Sequence, residues 1–198
     1  MRALHIVSIL LIGLLVTACL PVTTTHPIGT TAAEAPDSRL IGMWSGKAPD
    51  NDATSYFTFL PQDDSSLTAI AVTPGTIGDK GGWAAFAVTT ATLNTKHYMN
   101  ARALFEDNKP ATHDDAKRII PLAYHITEDG RLILTIIDED AAKAAVKAGR
   151  ISGTIGKGNT GDVTITAAPK ELDVFLAKDE GASLFSQKLF ELTRMPQD

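Results

Sequence analysis

The chain has 198 residues, a formal net charge of −5 and a single cysteine, Cys19. This length fits one domain whose core is large enough to fold without staples, and one cysteine allows no intramolecular disulfide. The acidic surplus would repel a phosphate backbone and no basic stripe offsets it, so the composition argues against nucleic-acid binding. Anionic lipid head groups are disfavoured for the same reason.

The beginning of the chain has the pattern of an export signal. Arg2 precedes an apolar run over Leu4–Val16, which is too short for a comfortable permanent membrane span, and two small residues then lead into Cys19. The stretch Leu15–Cys19, LVTAC, closely resembles the lipobox of bacterial lipoproteins, whose cysteine is lipidated and becomes the first residue of the mature protein. An ordinary secretory peptide with an incidental cysteine and an uncleaved signal anchor are the alternatives.

The lipobox resemblance implies a signal peptide over residues 1–18 and lipid attachment at Cys19, with anchoring in a bacterial cell envelope. An exported free thiol would react or cross-link in an oxidising compartment, and acylation would remove it. The next residue is Leu20, not the aspartate associated with inner-membrane retention in enterobacteria, which favours the outer membrane. Membrane contact is then expected through the lipid alone.

Residues 19–37 are predicted to be a disordered tether that begins at the lipidated cysteine. Leu20–Asp37 contains five threonines and three prolines, and its few large apolar side chains are too few to support folding. Its reach would lie between roughly 25 Å as a flexible coil and roughly 55 Å as extended polyproline. The folded domain, residues 38–198, would therefore stand clear of the membrane.

From residue 38 onward, short apolar runs alternate with turn residues, a pattern typical of a single antiparallel, mainly β domain. The alternation is clearest on both sides of the turn Glu128–Gly130, which predicts a tight hairpin. The predicted strands are Leu40–Lys47, Thr54–Leu60, Leu67–Thr73, Trp83–Leu93, His97–Phe105, Ile119–Thr127, Arg131–Ile137, Arg150–Ile155, Asp162–Ala167 and Gln187–Arg194.

Two short helices are predicted to interrupt the strands. Asp138 can cap the first, an alanine-rich segment over residues 138–149 with a glycine placed to end it. Pro169 opens the second, in which three large apolar residues form one stripe. Such stripes usually pack against a sheet or plug a barrel.

The first and last predicted strands carry a recognisable pairing. Gly42 and Trp44 form Gly-x-Trp on the first strand, and Arg194 ends the last. This resembles lipocalins, fatty-acid-binding proteins and other calycins, in which the tryptophan packs across one barrel end beneath a basic residue of the last strand. The resemblance implies a barrel or half-barrel of about 8 to 10 strands. Accidental placement in a sandwich or another barrel is the alternative.

Stacking of Arg194 on Trp44 also follows from the residues themselves. Phe190, Leu192 and Arg194 alternate onto one face, so if that face is the core, the guanidinium needs a partner there. The indole would supply it. A tenth strand and an alanine-rich helix before the last three strands depart from the lipocalin pattern.

The strand His97–Phe105 presents the most informative polar set. Tyr98, Asn100 and Arg102 share one face, whereas the residues between them are small or apolar. We expect the apolar face to be inside, because it packs easily, and the polar three to be solvated. If the polar face lined the barrel, it would suit a ligand carboxylate, which Arg102 could bind bidentately.

No motif for catalysis is present: the sequence has no Gly-x-Ser-x-Gly, no His-Glu-x-x-His and no paired cysteines. We therefore predict no catalytic residue, no metal site and no cofactor, and expect the protein not to be an enzyme. His113–Asp115 could offer a nitrogen and two carboxylates, but adjacent residues rarely converge on one ion. We interpret the surrounding stretch Glu106–Arg118, which mixes both charge signs, as a solvated loop.

Two functions from different classes remain. One is a lipid-anchored binding module that holds a small amphipathic molecule or lipid, its mouth flanked by the loops Pro74–Gly82 and Glu106–Arg118. The other is an interaction protein with a packed barrel, whose outer face meets an envelope component as an assembly factor or inhibitor-like partner. An interior cavity of ligand size favours the first hypothesis. The second is favoured by an interior that is filled by Phe57, Phe59, Phe86, Leu132, Leu134 and Phe190.

Overall fold

The structure, a computed structural model, describes residues 22–29, 35–49, 52–75, 81–106, 109–156 and 162–196. It is mainly β, and each of the ten predicted strands is present. In chain order, the strands are β1 (Val22–Thr24), β2 (Gly42–Lys47), β3 (Ser55–Asp63), β4 (Ser66–Pro74), β5 (Gly81–Leu93), β6 (Lys96–Glu106), β7 (Lys109–Pro110), β8 (Ile120–Ile126), β9 (Arg131–Ile136), β10 (Gly153–Ile155), β11 (Val163–Ile165) and β12 (Gln187–Arg194).

Eight of these strands form a closed antiparallel barrel in simple up-and-down order: β2 to β6, then β8, β9 and β12, which pairs back with β2. The short β7 pairs with the end of β6, on the same edge as β8. Tight turns explain the order, since a two-residue connection can only join adjacent antiparallel strands. Asn94 between β5 and β6 and Gly130 between β8 and β9 both have positive φ, at 56° and 79°. The closed ring is consistent with a lipocalin-like barrel.

Alternation along the strands divides the barrel wall into an inner and an outer face. On β9, for example, Leu132, Leu134 and Ile136 are buried while the residues between them are partly exposed. Their neighbours Leu122 and Tyr124 on β8 belong to the same inner cluster. One hydrophobic cluster therefore lines the inside of the barrel.

The chain between β9 and β12 forms a second layer outside the barrel. It contains α1 (Glu139–Lys147), α2 (Pro169–Leu176) and α3 (Asp179–Ala182), together with the hairpin β10–β11. Asp138 caps α1 as predicted, its carboxylate accepting a hydrogen bond of 2.8 Å from the Ala141 amide. A second hydrophobic cluster lies here and includes Tyr98 of the barrel wall. No helix in the described parts of the chain is long and apolar enough to cross a membrane.

The N-terminal segment, residues 22–29, differs from the tether that its composition predicts. β1 pairs in parallel with β11, extending the β10–β11 hairpin to three strands, and Val22, Thr24 and Ile28 are buried. The segment folds because the second layer offers it an open strand edge, and that edge comes from residues about 140 positions away in the sequence. The prediction of disorder is wrong for these eight residues.

The two ends of the barrel are built differently. At the closed end, tight turns join β3 to β4, β5 to β6 and β8 to β9. At the opposite end, the mouth end, β3 and β5 begin, β4 and β6 finish, and the connections are longer. The described parts of the loops Pro74–Gly82 and Glu106–Arg118 lie at the mouth end, where the sequence analysis expected them. Residues 76–80 and 107–108 within them lie outside the described residues.

Candidate functional site

The closed end is built on the predicted pairing of tryptophan and arginine. Trp44 is fully buried, and its indole Nε1 donates a hydrogen bond of 2.8 Å to the Leu40 carbonyl oxygen. Arg194 Cζ lies 4.2 Å from the centroid of the Trp44 ring, and Arg194 also donates to the Ile41 carbonyl oxygen at 2.6 Å. Gly42 has a φ of 121°, which side-chain-bearing residues rarely adopt, and this explains the glycine.

A polar network of Asp37, Arg39 and Tyr124 also lies at the closed end. The hydroxyl of Tyr124 donates a hydrogen bond of 3.0 Å to the Asp37 carboxylate, which also pairs with Arg39 at 2.7 Å. Burial, reinforced by the Asp37 charge, raises the pKa of Tyr124 far above its ordinary value, so the phenol stays protonated and donates. Burial alone would raise the pKa of Asp37, but the hydrogen bonds from Arg39 and Tyr124 outweigh it and lower that pKa.

This network predicts a specific acid sensitivity. The Asp37 pKa lies below its ordinary value of 3.8, so the stability that its ionised form contributes is present above that pH and is lost as the pH falls further. The difference in free energy of unfolding between the wild type and Asp37→Asn should therefore shrink between about pH 5 and about pH 2. Urea unfolding across this range measures it. Exposed acids such as Asp129 and Glu191 are present in both proteins, so their titration cancels in this difference. A difference that stays constant from about pH 5 to about pH 2 would show that the ionised Asp37 contributes no stability.

The half of the barrel towards the mouth end encloses a cavity of about 180 Å³. Large apolar side chains fill the other half, where Trp44, Leu132 and Leu192 are fully buried. The cavity lies between β3 to β6, β8, β9 and β12 because alanines on three of these strands leave room beside the aromatic rings. Its inner wall is made mainly by Phe57, Phe59, Ala69, Ala71, Ala84, Phe86, Val88, Met99, Ala101, Leu122, Leu134 and Phe190.

Few polar groups face this cavity. The hydroxyls of Ser55 and Thr73 lie near the mouth and hydrogen bond to each other at 2.8 Å, which satisfies both. Among the described residues that line the cavity, Glu106 at the end of β6 is the one with an ionisable side chain. The site can therefore hold an apolar group, with an acidic side chain at its rim.

The polar face of β6 points away from this cavity. Met99 and Ala101 line the interior, whereas Tyr98 and Asn100 are buried beneath the second layer and Arg102 is exposed on the outer wall. The expectation that the apolar face is inside is confirmed, and the alternative of a polar ligand patch inside the barrel is wrong. The expectation that all three polar side chains are solvated is wrong for Tyr98 and Asn100, which are 1% and 5% exposed because the second layer and the N-terminal segment cover them. The inward positions carry small side chains because the cavity and the opposite strands occupy that space.

Asn100 instead holds the N-terminal segment on the barrel. Its side-chain Oδ1 accepts a hydrogen bond of 2.7 Å from the Ile28 amide, and its Nδ2 donates to the Ile28 carbonyl oxygen at 3.0 Å. Gly29 is fixed beside it by a hydrogen bond of 2.8 Å from its amide to Asp173 of α2. The role of Asn100 is therefore structural, a possibility that the sequence pattern alone did not raise.

Sequence reasoning missed the position of Glu106 because the strand contains a bulge. The alternation that places Met99, Ala101 and Ala103 inside would place Phe105 inside as well. The register shifts opposite Ala85, so Phe105 turns outward and Glu106 lines the cavity. A register shift of one residue moves every later side chain of the strand to the opposite face of the sheet. No glycine or proline in β6 indicates this bulge.

The stretch around His113 carries exposed ion pairs rather than a cluster of ligands. Asp114 and Asp115 lie 3.8 Å and 4.0 Å from Lys117 and Arg118, respectively. In the part of the chain that the structure describes, no group of three or more His, Cys, Asp or Glu side chains is arranged to hold a metal ion.

Comparisons of this chain with known protein families, with curated proteins and with solved structures found no match. The candidate site therefore has to be interpreted from its own geometry. Cys19 and the residues before it lie outside the described residues, so the signal peptide and the lipid attachment both stay predictions.

Proposed function

We propose that this protein is a lipid-anchored protein of the bacterial cell envelope whose lipocalin-like barrel binds a small, mainly apolar molecule. The observation that carries the proposal is the apolar cavity of about 180 Å³ in the mouth half of a closed barrel. Protein interiors usually exclude voids larger than a water molecule, so a space of this size needs an occupant or a purpose. Anchoring rests on the resemblance of Leu15–Cys19 to a lipobox.

The size of the cavity limits the ligand. An apolar cavity of roughly 150 Å³ is enough to bind benzene, whereas drug-sized ligands occupy pockets of roughly 300 to 1,000 Å³. At about 180 Å³, the space takes one aromatic ring or the end of one alkyl chain. The rest of a longer ligand would extend out of the mouth.

The groups at the rim limit the ligand further. Glu106 is the ionisable side chain there, and Lys109 lies directly opposite it on β7, so the rim carries both charge signs. Arg102, which could have bound a carboxylate, lies on the outer wall. We therefore favour an alkyl or aryl compound with a neutral polar end.

The packed-barrel alternative is less well supported, because the phenylalanines expected to fill the interior line an open space instead. Phe57 and Phe190 contact each other edge to face, with centroids 4.7 Å apart, and both rings remain part of the cavity wall. A packed interior, which would have favoured an interaction protein, is therefore not observed around the cavity.

A variant that fills the cavity tests the proposed binding. Ala101→Phe places a ring in the space, and we expect it to weaken the binding of octanol and octylamine at least tenfold, or about 1.4 kcal/mol, in calorimetric titrations. Octanoate is titrated alongside them, and we expect neither charged compound to bind more tightly than octanol, because the lining is almost wholly apolar. Ala87→Phe, on the outer wall of the neighbouring strand β5, adds the same ring outside and is the matched control.

Two outcomes would contradict the proposal. If the wild type binds none of the three compounds, the cavity is not a ligand site for this class of molecule. If Ala101→Phe binds as well as Ala87→Phe, binding occurs elsewhere on the protein.

A further inference from the structure

Two hydroxyl groups face each other where the cavity approaches the mouth. Tyr56 of β3 pairs with Val72 of β4, so Ser55 and Thr73 lie directly opposite each other at the next position towards the mouth. Their hydroxyl oxygens are 2.8 Å apart, and both residues line the cavity. The next inward positions on both strands, deeper in the barrel, carry apolar side chains. Along these two strands, the cavity wall therefore changes from apolar to polar towards the mouth.

The neighbouring strands leave this pair of hydroxyls accessible. Gly46 of β2 pairs with Ser55, and Gly82 of β5 pairs with Thr73, so a glycine stands on each side of the pair. Residues paired across antiparallel strands project to the same face of the sheet, and a glycine has no side chain that would cover the hydroxyls from the side. Gly82 itself lines the cavity. An atom of a ligand can therefore reach the pair from inside the barrel.

The pair keeps one hydrogen that its own hydrogen bond does not use. Each hydroxyl carries one hydrogen, and the bond between Ser55 and Thr73 uses one of the two, whichever residue is the donor. Neither hydroxyl has a further hydrogen-bond partner among the described residues. Ser55 is 3% exposed, and a ligand in the mouth would also cover the half-buried Thr73. Because a covered donor without an acceptor costs free energy, the ligand has to supply the acceptor.

We infer that the pair Ser55–Thr73 selects ligands whose polar end is an uncharged oxygen acceptor, such as the carbonyl of a ketone or an ester. The inference rests on the proposed function, since it requires that the cavity binds a small molecule. No cationic side chain is among the described residues that line the cavity, so a carboxylate placed beside the pair would have no counter-charge there. With its oxygen beside the pair, the ligand directs its alkyl or aryl group into the depth of the barrel.

Two compounds of the same shape test this selection. They are methyl butyl ketone and its alkene isostere, in which a methylene group replaces the oxygen, so that only the ketone accepts a hydrogen bond. Each is titrated calorimetrically into the wild type and into the double variant Ser55→Ala/Thr73→Val, which removes both hydroxyls at nearly constant volume. We expect the ratio of ketone affinity to alkene affinity to fall about fivefold in the double variant, the effect of one hydrogen bond. Unchanged alkene binding shows that the variant keeps its cavity.

Single variants test whether the unused hydrogen is the group that acts. Thr73→Val leaves the Ser55 hydroxyl and Ser55→Ala leaves the Thr73 hydroxyl, so each variant keeps one hydrogen for the ligand. In at least one of them, the affinity ratio should stay within about twofold of the wild type. Thr58→Val removes a hydroxyl from the outer face of β3 and is the matched control, which should leave the ratio unchanged.

Infrared spectroscopy of the bound ketone gives a second measurement that needs no variant. A hydrogen bond weakens the carbonyl bond, so the carbonyl stretch of the ketone bound to the wild type should lie at a lower frequency than in an alkane solvent. A stretch at the alkane frequency, an unchanged affinity ratio in the double variant, or a full loss of the ratio in both single variants overturns the inference while binding in the cavity stands. A wild type that binds neither compound nor octanol overturns the proposed function and the inference together.

Discussion

Trp44→Ala should lower the free energy of unfolding by about 3 to 5 kcal/mol, the range for removal of a large buried aromatic side chain. The indole is fully buried, and its loss would also leave the Leu40 carbonyl oxygen without its hydrogen-bond donor. Because Trp44 fills the closed half of the barrel, its removal opens a second void beneath the cavity. Urea unfolding followed by circular dichroism measures the change.

A double-mutant cycle with Arg194→Ala separates contact from general damage. The arginine alone should cost about 1 to 2 kcal/mol, because its exposed guanidinium gains less from stacking than a buried one would. The pair should couple by about 0.5 kcal/mol or more, since Cζ lies 4.2 Å from the ring centroid. Arg131→Ala, an exposed arginine on β9 that pairs with Asp129, is the control and should be additive with Trp44→Ala. Additivity with Arg194 as well would refute the stacking.

Asn100→Ala should cost about 2 to 4 kcal/mol, because it leaves the buried amide and carbonyl of Ile28 without partners. The N-terminal segment should then detach from the barrel wall, so proteolysis within residues 22–29 should become faster. Asn100→Asp keeps an acceptor for the Ile28 amide but loses the donor, and should lie between the wild type and the alanine variant.

Arg102→Ala is the control for Asn100, since both side chains project from the same outer face of β6. Arg102 is exposed, and its replacement should change the free energy of unfolding by less than about 0.5 kcal/mol. If Asn100→Ala were no more destabilising than Arg102→Ala, the Asn100 contacts would contribute nothing to holding the segment. Equally fast proteolysis in both variants would show that the effect is not specific to Asn100.

Local patterns predicted most of the barrel. Period-two alternation located β8 and β9, the turn Glu128–Gly130 located the hairpin between them, and Asp138 and Pro169 located the starts of α1 and α2. Each of these signals depends on residues within a few positions of one another. The pairing of Trp44 with Arg194 was predictable for another reason: a basic residue on an inward face needs a nearby partner.

The features that sequence reasoning missed all depend on distant partners. β1 folds because β11 offers an edge, and Asp37 is held in place because Tyr124, 87 positions away in the sequence, donates a hydrogen bond to it. Glu106 faces the cavity because of a bulge in β6, and the residues around Glu106 in the sequence do not predict that bulge. The composition of a segment shows how much apolar surface the segment itself can bury. It does not show whether the rest of the chain forms a surface on which the segment can pack.

The volume of the cavity was equally beyond prediction from the sequence. The interior residues Phe57, Phe86 and Phe190 were identified as candidates to fill the barrel, and they do face inward. Whether such rings close a space or line it depends on their rotamers and on small residues opposite them, such as Ala69 and Ala101. The size or rotamer of a single side chain can therefore determine whether the interior is a packed core or a binding site.

The central claim, that the barrel holds a small molecule in its cavity, is tested most directly by native mass spectrometry of the protein purified from cells in gentle detergent. The wild type should carry a single small adduct that dissociates on mild activation, and Ala87→Phe should carry the same adduct. Ala101→Phe should lack it, because its ring occupies the cavity. A wild type without any adduct, or the same adduct on Ala101→Phe, would contradict the claim.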